Sequence, residues 1–321
     1  MHKRIDGAII AAGKGTRIKP LSFKSSKSLL SVCNKPIIEN QIDIMKNIGI
    51  KNIFIVVGYL KEGIMNHLKD GRDFGVNITY VEQKNPKGIA HAVAQLEGHI
   101  KNPFLAFLGD IILKCRNLSN AVRLLEEKKA DAVLITKKEV NKELIKKNFS
   151  VTLNKKGRVI RVIEKPHFPQ NNLKGCGVYL FTPAIFDAIR RTPISQIRNE
   201  YELTDSIQIF IDDMHPVYSL NDVEWDLNIN TAEDLLYCNL KMLKDLNKNK
   251  IVGKNVKIHP KAKLINSILC DNAVVKNPIK IINSCILPNS VVDAKEDLML
   301  CLVSNKTQIN LETKFKGKYE L

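Results

Sequence analysis

The sequence predicts an α/β protein in which a doubly wound, mostly parallel sheet is followed by a small C-terminal β region. Over most of the 321 residues, short apolar runs alternate with stretches of helical period. This alternation is typical of a parallel sheet covered by helices on both faces. A polar linker at residues 246–250 ends the pattern, and apolar residues then recur every six positions. We therefore expect a domain of residues 1–245 and a tail of residues 246–321.

Each predicted strand is a buried apolar run, and most predicted helices lie between two such runs. The strands are expected at residues 8–12, 53–57, 76–81, 103–108, 131–136, 149–153, 158–163, 177–181 and 217–220. The helices are expected to begin at Lys35-Pro36 and at Leu118, and to cover residues 61–68, 88–96, 183–190, 204–211 and 231–243. Ligands of such sheets bind at the carboxyl ends of the strands. Residues 13–17 and 109–110 follow two strands and are therefore expected to converge.

The tail shows a period of six residues, which resembles the hexapeptide repeat of a left-handed parallel β-helix. Two apolar series follow this period: Val252, Ile258 and Leu264, and Val256, Ala262, Ile268 and Val274. The series breaks at Lys280 and resumes at Ile286 and Val292. A set of irregular strands packed on the main domain is the alternative. About 70 residues are too few for a long helix with an acyl-CoA site, so we expect the tail to act in capping or homo-oligomerisation.

Composition narrows the class of protein. The net charge is +17, but lysine is scattered along the whole chain, so a specific nucleic-acid partner is not favoured. The seven cysteines form no CxxC pair, which argues against a zinc site and a disulfide framework. No apolar run approaches the roughly 18 residues of a membrane span, and no signal peptide is evident. We expect a soluble, cytoplasmic protein without a membrane partner.

The most informative stretch follows the first predicted strand and reads Gly13-Lys14-Gly15-Thr16-Arg17. Two glycines at a strand end allow backbone N–H groups to approach an anion. Arg17 and Lys27 add positive charge nearby. The stretch is neither a Walker A loop nor a complete GxGxxG fingerprint, so a GxG sequence alone is equally consistent with an ordinary βα turn.

The longer string that begins at Ala11-Ala12 and ends at Arg17, with K-S-L-L-S-V and N-K-P after it, is more specific. It resembles the signature of the sugar-1-phosphate nucleotidyltransferases, the nucleoside-diphosphate-sugar pyrophosphorylases, which have a Rossmann-like fold. The resemblance implies that the loop binds a triphosphate through its backbone amides. It also implies that Arg17 contacts the leaving pyrophosphate and that Lys27 lies near the phosphates. The implied nucleotide contacts are Ala11, Ala12, Gly13, Lys14, Gly15, Thr16, Gln83 and Gly88.

The segment around Gln83 and Gly88 resembles the base-reading motif of the same family. Gln83 matches the residue that pairs with the edge of uracil or thymine, and Gly88 matches the glycine whose backbone contacts the base. An amide offers both a donor and an acceptor. Cytosine therefore stays open at this point, because the amide can be turned over.

Two positions match the metal ligands of the family. Asp110 follows a strand in the Leu-Gly-Asp motif, and counting back from Thr231-Ala232-Glu233-Asp234 puts the second ligand at Asn228. Oxygen ligands together with phosphates suit Mg²⁺. Asn228 is neutral where most relatives have Asp, so Asp226, two residues earlier, is an alternative ligand on the same face of a strand.

The sugar-phosphate half of the motif set lies further along the chain. Glu164-Lys165 matches a V-E-K-P motif in which the Glu hydrogen-bonds sugar hydroxyls and the Lys holds the sugar-1-phosphate. Gly177 matches a glycine that lets the sugar approach the backbone. Gly175 stands where the family often has Asn, which removes an expected sugar contact.

The resemblance implies nucleotidyl transfer from a nucleoside triphosphate, with UTP or dTTP favoured, to a sugar-1-phosphate such as glucose-1-phosphate or its N-acetylamino relative. Arg17, Lys27 and Lys165 are the expected catalytic cations, with Mg²⁺ as cofactor. Two alternatives remain. One is a cytidylyltransferase acting on another phosphorylated alcohol, such as inositol phosphate. The other is a non-catalytic subunit, as in regulatory pyrophosphorylase subunits and certain translation-initiation-factor subunits.

Overall fold

The computed structural model describes residues 4–23, 25–305 and 307–315, without the side chain of residue 314. The chain divides into two compact units, and each is interrupted in sequence. The first unit contains the residues up to Lys14 together with residues 41–226. The second contains residues 15–40 and the residues from 227 onward. The division into a domain of residues 1–245 and a tail of residues 246–321 stays a prediction.

The helices are α1 (Ile37–Asn47), α2 (Lys61–Leu68), α3 (Ile89–Ala94), α4 (Ser119–Glu127), α5 (Lys142–Lys146), α6 (Ile185–Arg191), α7 (Leu203–Asp212), α8 (Ala232–Asp245) and α9 (Glu312–Phe315). Short 3₁₀ turns cover Thr16–Ile18, Lys27–Leu29 and Arg72–Phe74. None of the helices in the described part of the chain is long and apolar enough to cross a membrane.

The strands up to residue 228 are β1 (Asp6–Ile10), β2 (Ser31–Val32), β3 (Lys35–Pro36), β4 (Asn52–Val57), β5 (Asn77–Glu82), β6 (Phe104–Leu108), β7 (Ile111–Cys115), β8 (Ala132–Lys138), β9 (Phe149–Leu153), β10 (Val159–Glu164), β11 (Leu173–Phe181), β12 (Val217–Asn221) and β13 (Val223–Asn228). The later strands are β14 (Lys250–Val252), β15 (Lys257–Ile258), β16 (Lys263–Ile265), β17 (Ser267–Leu269), β18 (Val274–Val275), β19 (Lys280–Ile282), β20 (Cys285–Ile286), β21 (Val291–Val292), β22 (Leu298–Met299), β23 (Cys301–Ser304) and β24 (Thr307–Asn310).

The first unit is built on a mixed sheet in the order β10-β9-β11-β6-β1-β4-β5, in which β8 also pairs with β11 and β12. The strands β6, β1, β4 and β5 are mutually parallel. The long β11 runs antiparallel to β6, β8 and β9. The predicted Rossmann-like α/β fold is therefore confirmed, with a parallel half and an antiparallel half.

Apolar side chains from both halves form one core in the first unit. Ala8 and Ala106 are fully or almost fully buried where β1 and β6 pair. Phe104 stacks on Phe186 with ring centroids 5.7 Å apart, and it contacts Phe181 at 5.9 Å. Small residues in the central strands and large rings beside them fill the interior at close packing, which fixes the sheet that positions the site.

Several predicted elements differ from the structure: β1, for example, covers Asp6–Ile10 instead of residues 8–12, and β11 begins at Leu173 instead of residue 177. Residues 35–36, expected to open a helix, form β3 and pair with β2 in a short antiparallel hairpin, so α1 begins at Ile37. The strands β7 and β13, which pair with each other, were not predicted. In β13 apolar and polar residues alternate, and its Glu224 forms an ion pair with Lys114 of β7 at 3.2 Å, so no continuous apolar run signals this strand.

The tail forms three stacks of short parallel strands: β14-β17-β20-β23, β15-β18-β21 and β16-β19-β22, with β24 added antiparallel to β23. This arrangement confirms the hexapeptide-like tail and is consistent with a partial left-handed β-helix. Equivalent residues are 17 apart, as in Lys263 beside Lys280 and Val274 beside Val291. Three hexapeptides would make 18, so each coil is one residue short, and this explains why the six-residue series breaks.

Candidate functional site

Four strands of the first unit end side by side, and the residues that follow them form one row at the carboxyl edge of the sheet. Ile10 lies opposite Val56 and Leu108, and Val57 lies opposite Glu82. The next residues along these strands are Ala11, Gly58, Gln83 and Gly109. The Ala11 N–H donates to the Val56 carbonyl at 2.8 Å, the Gln83 N–H donates to the Val57 carbonyl at 2.8 Å, and the Gly109 N–H donates to the Ile10 carbonyl at 2.9 Å. The edge is thus held by main-chain hydrogen bonds.

The predicted nucleotide loop leaves the sheet at this edge and continues into the second unit. Ala11 and Ala12 are buried, whereas Gly13 and Lys14 are exposed. Gly15 has a φ of 59°, the left-handed conformation that its lack of a Cβ permits. The Ser22 hydroxyl donates to the Gly15 carbonyl at 2.7 Å, so the loop after the turn is held by its own side chains.

Gln83, the predicted base reader, is only 4% exposed and has a well-defined partner set. Its Nε2 donates to the Gly88 carbonyl at 3.4 Å and lies 2.8 Å from Nδ1 of His91. His91 stacks on Tyr201 with ring centroids 6.3 Å apart. Burial, and then the nearby Lys87, lower the pKa of His91 below its ordinary 6.5, so the ring is neutral at pH 7 and Nδ1 can accept.

Gly88 is required by the backbone around it. Its φ is 107°, and a Cβ at this position would lie 2.7 Å from the Tyr201 nitrogen. Tyr201 pairs with this loop on both sides, because its N–H donates to the Lys87 carbonyl at 2.8 Å and its carbonyl accepts from the Ala90 N–H at 3.0 Å. A close backbone approach and a positive φ together exclude any residue other than glycine.

Asp110, the predicted metal ligand, lies on the turn between β6 and β7. The buried side chain of Gln41 holds this turn, because its Nε2 donates to the carbonyls of Leu108 and Ile111, each at 2.8 Å. Asp110 itself is partly exposed. Gln41 is a positioning residue that the sequence did not reveal.

The predicted sugar-phosphate pair Glu164-Lys165 is part of a charged network in the first unit. Glu164 Oε1 lies 3.5 Å from Lys165 Nζ and 3.4 Å from Arg198 NH1, and Oε2 accepts from the Thr204 hydroxyl at 3.3 Å. Arg198 also donates to Glu202 at 3.0 Å. Burial raises the pKa of Glu164, and Glu202 raises it further against the opposing effects of Lys165 and Arg198.

The predicted metal ligand Asp110 and the predicted sugar-phosphate residue Glu164 both influence one buried side chain, Tyr179. Burial raises the pKa of Tyr179 well above its usual range, and the negative charges of Glu164, Glu202 and Asp110 contribute in turn. These carboxylates therefore lie near Tyr179. The Lys165 backbone has a φ of 41°, and its N–H donates to the Asn148 carbonyl at 2.7 Å, which fixes the start of its side chain.

Gly177, the predicted sugar-contacting glycine, and Gly175 lie on β11 in different surroundings. A Cβ at Gly175 would overlap the ring of Phe149, so the Asn that the family often has is excluded by an aromatic side chain. Phe149 in turn stacks on Tyr179 at 5.8 Å. Gly177 has a φ of 64° at the middle of β11, where the register of β11 against β8 shifts.

Asp226, the alternative metal ligand, has another partner. Its two carboxylate oxygens each accept from Lys174 Nζ at 2.7 Å, and both side chains are buried, with 0% and 4% exposed. A buried ion pair of this geometry satisfies both charges. Asp226 is therefore committed to Lys174, and the prediction of a second ligand stays with Asn228, which is partly exposed.

In the second unit, two predicted phosphate-binding cations meet on one amide oxygen. Asn230 Oδ1 accepts from Arg17 NH2 at 2.9 Å and from Lys27 Nζ at 3.0 Å. The Asn230 N–H donates to Asp234 Oδ2 at 3.0 Å, and Asp234 completes a capping box with Thr231 at the start of α8. The rigid helix end thus places the amide oxygen that orients both cations.

Two further features of the described residues concern clusters of metal ligands and the cysteine thiols. No group of three or more His, Cys, Asp and Glu side chains could hold a metal ion within the residues described above. All seven cysteines are free thiols. Burial raises the pKa of Cys33 to about 12 and that of Cys115 to about 11, so neither is a thiolate at neutral pH.

Sequence reasoning identified the charged and glycine positions but missed the residues that orient them: Gln41, His91, Arg198 and Asn230. Asn230 stands between Asn228 and Thr231, inside the stretch that carries the predicted second ligand, so its position is visible in the sequence although its role is not. The contacts of Gln41 with the β6–β7 turn and of Arg198 with Glu164 form only in the folded chain. His91 stands three residues after Gly88, but nothing in that segment marks it as a partner of Gln83.

Comparison with known proteins points to one family. The family model described as nucleotidyl transferase matches residues 6–245. A protein of Haloferax volcanii named UTP–glucose-1-phosphate uridylyltransferase AglF is 37% identical over 230 residues, covering 72% of this chain and 93% of that protein. A glucose-1-phosphate thymidylyltransferase of Streptomyces antibioticus is 32% identical, covering 74% of this chain and 66% of its own.

The bifunctional protein GlmU of Methanococcus aeolicus is 35% identical over 260 residues, and the match spans 59% of that longer protein. Among solved structures, a UDP-glucose pyrophosphorylase complexed with UDP-glucose superposes with a TM-score of 0.66 at 23% identity. That match covers 75% of this chain and 99% of the pyrophosphorylase. At this identity the superposition supports the fold alone.

Proposed function

Because the chain belongs to the nucleotidyl transferase family, we propose that it transfers a nucleotidyl group from UTP or dTTP to a sugar-1-phosphate and releases pyrophosphate. The main support is the convergence of Arg17 and Lys27 on Asn230, since two oriented cations directly after a glycine loop suit a triphosphate. The names of the relatives, which include a uridylyltransferase and a thymidylyltransferase, agree with a pyrimidine nucleotide.

In the proposed reaction, an oxygen of the sugar-1-phosphate attacks the α-phosphorus in line. A new P–O bond forms, the bond to the β-phosphate oxygen breaks, and pyrophosphate leaves with the electron pair. No general base is needed because the attacking phosphate is ionised at pH 7. Arg17 and Lys27 stabilise charge on the leaving pyrophosphate, and Lys165 orients the attacking phosphate.

The metal ligands remain Asp110 and Asn228 in this proposal, with Mg²⁺ as the ion. One carboxylate on a turn held by Gln41 and one amide oxygen fit Mg²⁺, which keeps several waters and takes further oxygens from substrate phosphates. When bound, the ion would neutralise phosphate charge during transfer. The protein residues position the substrates around that charge.

The acceptor is proposed to be glucose-1-phosphate or its N-acetylamino relative. Glu164, held by Arg198 and Thr204, would accept hydrogen bonds from sugar hydroxyls. Gly175 offers no side-chain amide to the sugar, and the Phe149 ring fills that space. We also propose that the tail supports homo-oligomerisation, because its short strands form three repetitive parallel stacks.

A pyrophosphate-release assay tests the proposal over a matrix of UTP, dTTP, CTP, ATP and GTP against several sugar-1-phosphates with Mg²⁺. Release with UTP or dTTP and a hexose-1-phosphate is expected. Release only with CTP and another phosphorylated alcohol would favour the cytidylyltransferase. No release from any pair would favour the non-catalytic subunit. Replacing Asp110 by Ala should abolish release, and unchanged release would contradict the metal assignment.

A further inference from the structure

Gln83 presents its amide in one defined orientation, and His91 is part of the reason. Its Nε2 donates to the Gly88 carbonyl at 3.4 Å and lies 2.8 Å from Nδ1 of His91, which accepts in the neutral tautomer with hydrogen on Nε2. We propose that His91 is a positioning residue which, with the Gly88 carbonyl, fixes the Gln83 amide so that the site selects uracil or thymine over cytosine. This inference rests on the proposed nucleotidyl transfer.

The Gly88 carbonyl and His91 both oppose the same change, a reversal of the Gln83 amide that exchanges Nε2 and Oε1. Turning the amide over would bring Oε1 against the Gly88 carbonyl, which can only accept. It would also bring Oε1 against Nδ1 of His91, which has no hydrogen to donate while the neutral ring keeps its hydrogen on Nε2. In that tautomer the reversed amide leaves Oε1 without a donor, and buried polar atoms without partners are costly.

The orientation decides which base edge fits. With Nε2 committed to Gly88 and His91, Oε1 is the end of the amide left to face a ligand, and it only accepts. Uracil and thymine carry an N–H at position 3 of the ring, whereas cytosine has a bare acceptor nitrogen there. The fixed amide therefore matches uracil and thymine and opposes the acceptor of cytosine.

His91 is held in place by its surroundings. It lies on the short helix α3, it is half-buried, and it stacks on Tyr201. The Gln95 amide donates to its carbonyl at 3.0 Å. The titratable and charged groups that face the ring are Lys87, from the preceding loop, and Tyr201, from the segment before α7. Lys87 and burial both favour the neutral ring, which is the form that accepts from Gln83.

The experiment compares kcat/KM for UTP and CTP, with glucose-1-phosphate and Mg²⁺, in the full-length protein. His91→Phe keeps an aromatic ring against Tyr201 and removes the acceptor. The UTP-to-CTP ratio should then fall by roughly 3- to 10-fold, the worth of one ordinary hydrogen bond. His91→Gln supplies an amide oxygen that can accept from Gln83, and it should retain most of the selectivity. His99→Phe, at an exposed site beyond the same helix, should leave the ratio unchanged.

A pH series gives an independent readout that a purely structural role of His91 would not move. As pH falls below 6.5, protonation of Nδ1 removes the acceptor, so the wild-type UTP-to-CTP ratio should fall while that of His91→Gln stays level. If the UTP-to-CTP ratio of the wild type changes with pH in the same way as that of His91→Gln, the proposal is overturned. This comparison does not depend on whether His91→Phe folds. Equal selectivity in wild type and folded His91→Phe would also overturn it. Absence of transfer with every base would instead refute the proposed function.

Discussion

Asn230 is a neutral side chain that sets the positions of two cations. Its Oδ1 accepts from both Arg17 and Lys27, and its own backbone is held by Asp234 at the start of α8. Without this shared acceptor, two like charges would move apart and lose their common orientation. Preorganised cations stabilise a developing negative charge more than mobile cations do, because they need no rearrangement during the reaction.

We expect Asn230→Ala to lower kcat/KM for the nucleotide roughly fivefold, which corresponds to about 1 kcal/mol for the lost hydrogen bonds. Asn230→Asp should cost more, because a carboxylate beside Arg17 and Lys27 neutralises part of the charge meant for the triphosphate. Steady-state kinetics with varied nucleotide would measure both variants. A wild-type value for Asn230→Asp would contradict the assignment of these cations to the triphosphate.

Glu164 gives a pH-dependent prediction at the same scale. Burial raises its pKa in the folded protein above the ordinary 4.5, so between the two values the folded chain binds more protons than the unfolded chain. The stabilising contribution is therefore fully present below 4.5 and is lost as pH rises through the folded pKa. Activity should change in the opposite direction, because only the ionised carboxylate holds Lys165 and Arg198.

The variant Glu164→Gln isolates this effect. Relative to it, the wild-type free energy of unfolding should fall as pH rises from 4.5 towards neutrality, as measured by urea denaturation at each pH. Over the same window, wild-type kcat/KM for the sugar-1-phosphate should rise, and Glu164→Gln should lack that rise. Parallel stability curves for the two proteins would exclude a raised pKa at Glu164.

At the scale of secondary-structure elements, the antiparallel half of the sheet depends on the pair formed by Gly175 on β11 and Phe149 on β9. The Phe149 ring lies where a Cβ of residue 175 would be. We expect Gly175→Ala to destabilise the fold by about 1–3 kcal/mol through overpacking. In Phe149→Leu the same Gly175→Ala change should cost clearly less, because the smaller side chain leaves room. Denaturant unfolding of the four proteins gives the coupling energy, and additive effects would show that the two residues are independent.

The elements show where sequence reasoning succeeds and where it stops. Residues 53–57 and 61–68 were predicted within one residue of β4 and α2, because buried apolar runs and helical spacing are local signals. By contrast, β7 has only three consecutive apolar residues, and β13 alternates apolar and polar residues. Their pairing is a tertiary event that local pattern does not specify.

The same limit applies to the candidate site. Several site residues stand in contiguous motifs, so their residue types and spacing identify them in the sequence: the loop glycines, Asp110 and Glu164-Lys165. His91 is eight residues from Gln83, and its hydrogen bond forms only once the loop between β5 and α3 has folded. The assignment of Asp226 likewise required the fold, because its partner Lys174 is 52 residues away.

At the scale of the whole chain, the second unit joins an early hairpin to the β-helix through Asp271. Its carboxylate accepts from Asn34 Nδ2 at 2.8 Å and from the Lys254 N–H at 2.6 Å, and its own N–H donates to Asn34 Oδ1 at 2.9 Å. We expect Asp271→Ala to lower the free energy of unfolding by about 1.5–3 kcal/mol, the range for hydrogen bonds to a charged group. Asp293→Ala, which breaks an exposed ion pair with Lys276 on the same β-helix, should cost under about 1 kcal/mol.

A chain ending at residue 245 tests the predicted domain boundary directly. Such a chain retains the β2–β3 hairpin and α8, but it loses Asp271 as the partner of Asn34 and Phe315 as the ring packed 6.2 Å from Tyr237. Because both contacts lie within one compact unit, we expect the shortened chain to unfold at lower urea concentration than the full chain. Asp271→Ala in the full chain should reproduce part of that loss. If the shortened chain unfolds at the same urea midpoint as the full chain, residues 1–245 form an independent domain. The loss expected here would instead show that residues 246–321 help to stabilise the segment that carries Arg17 and Lys27.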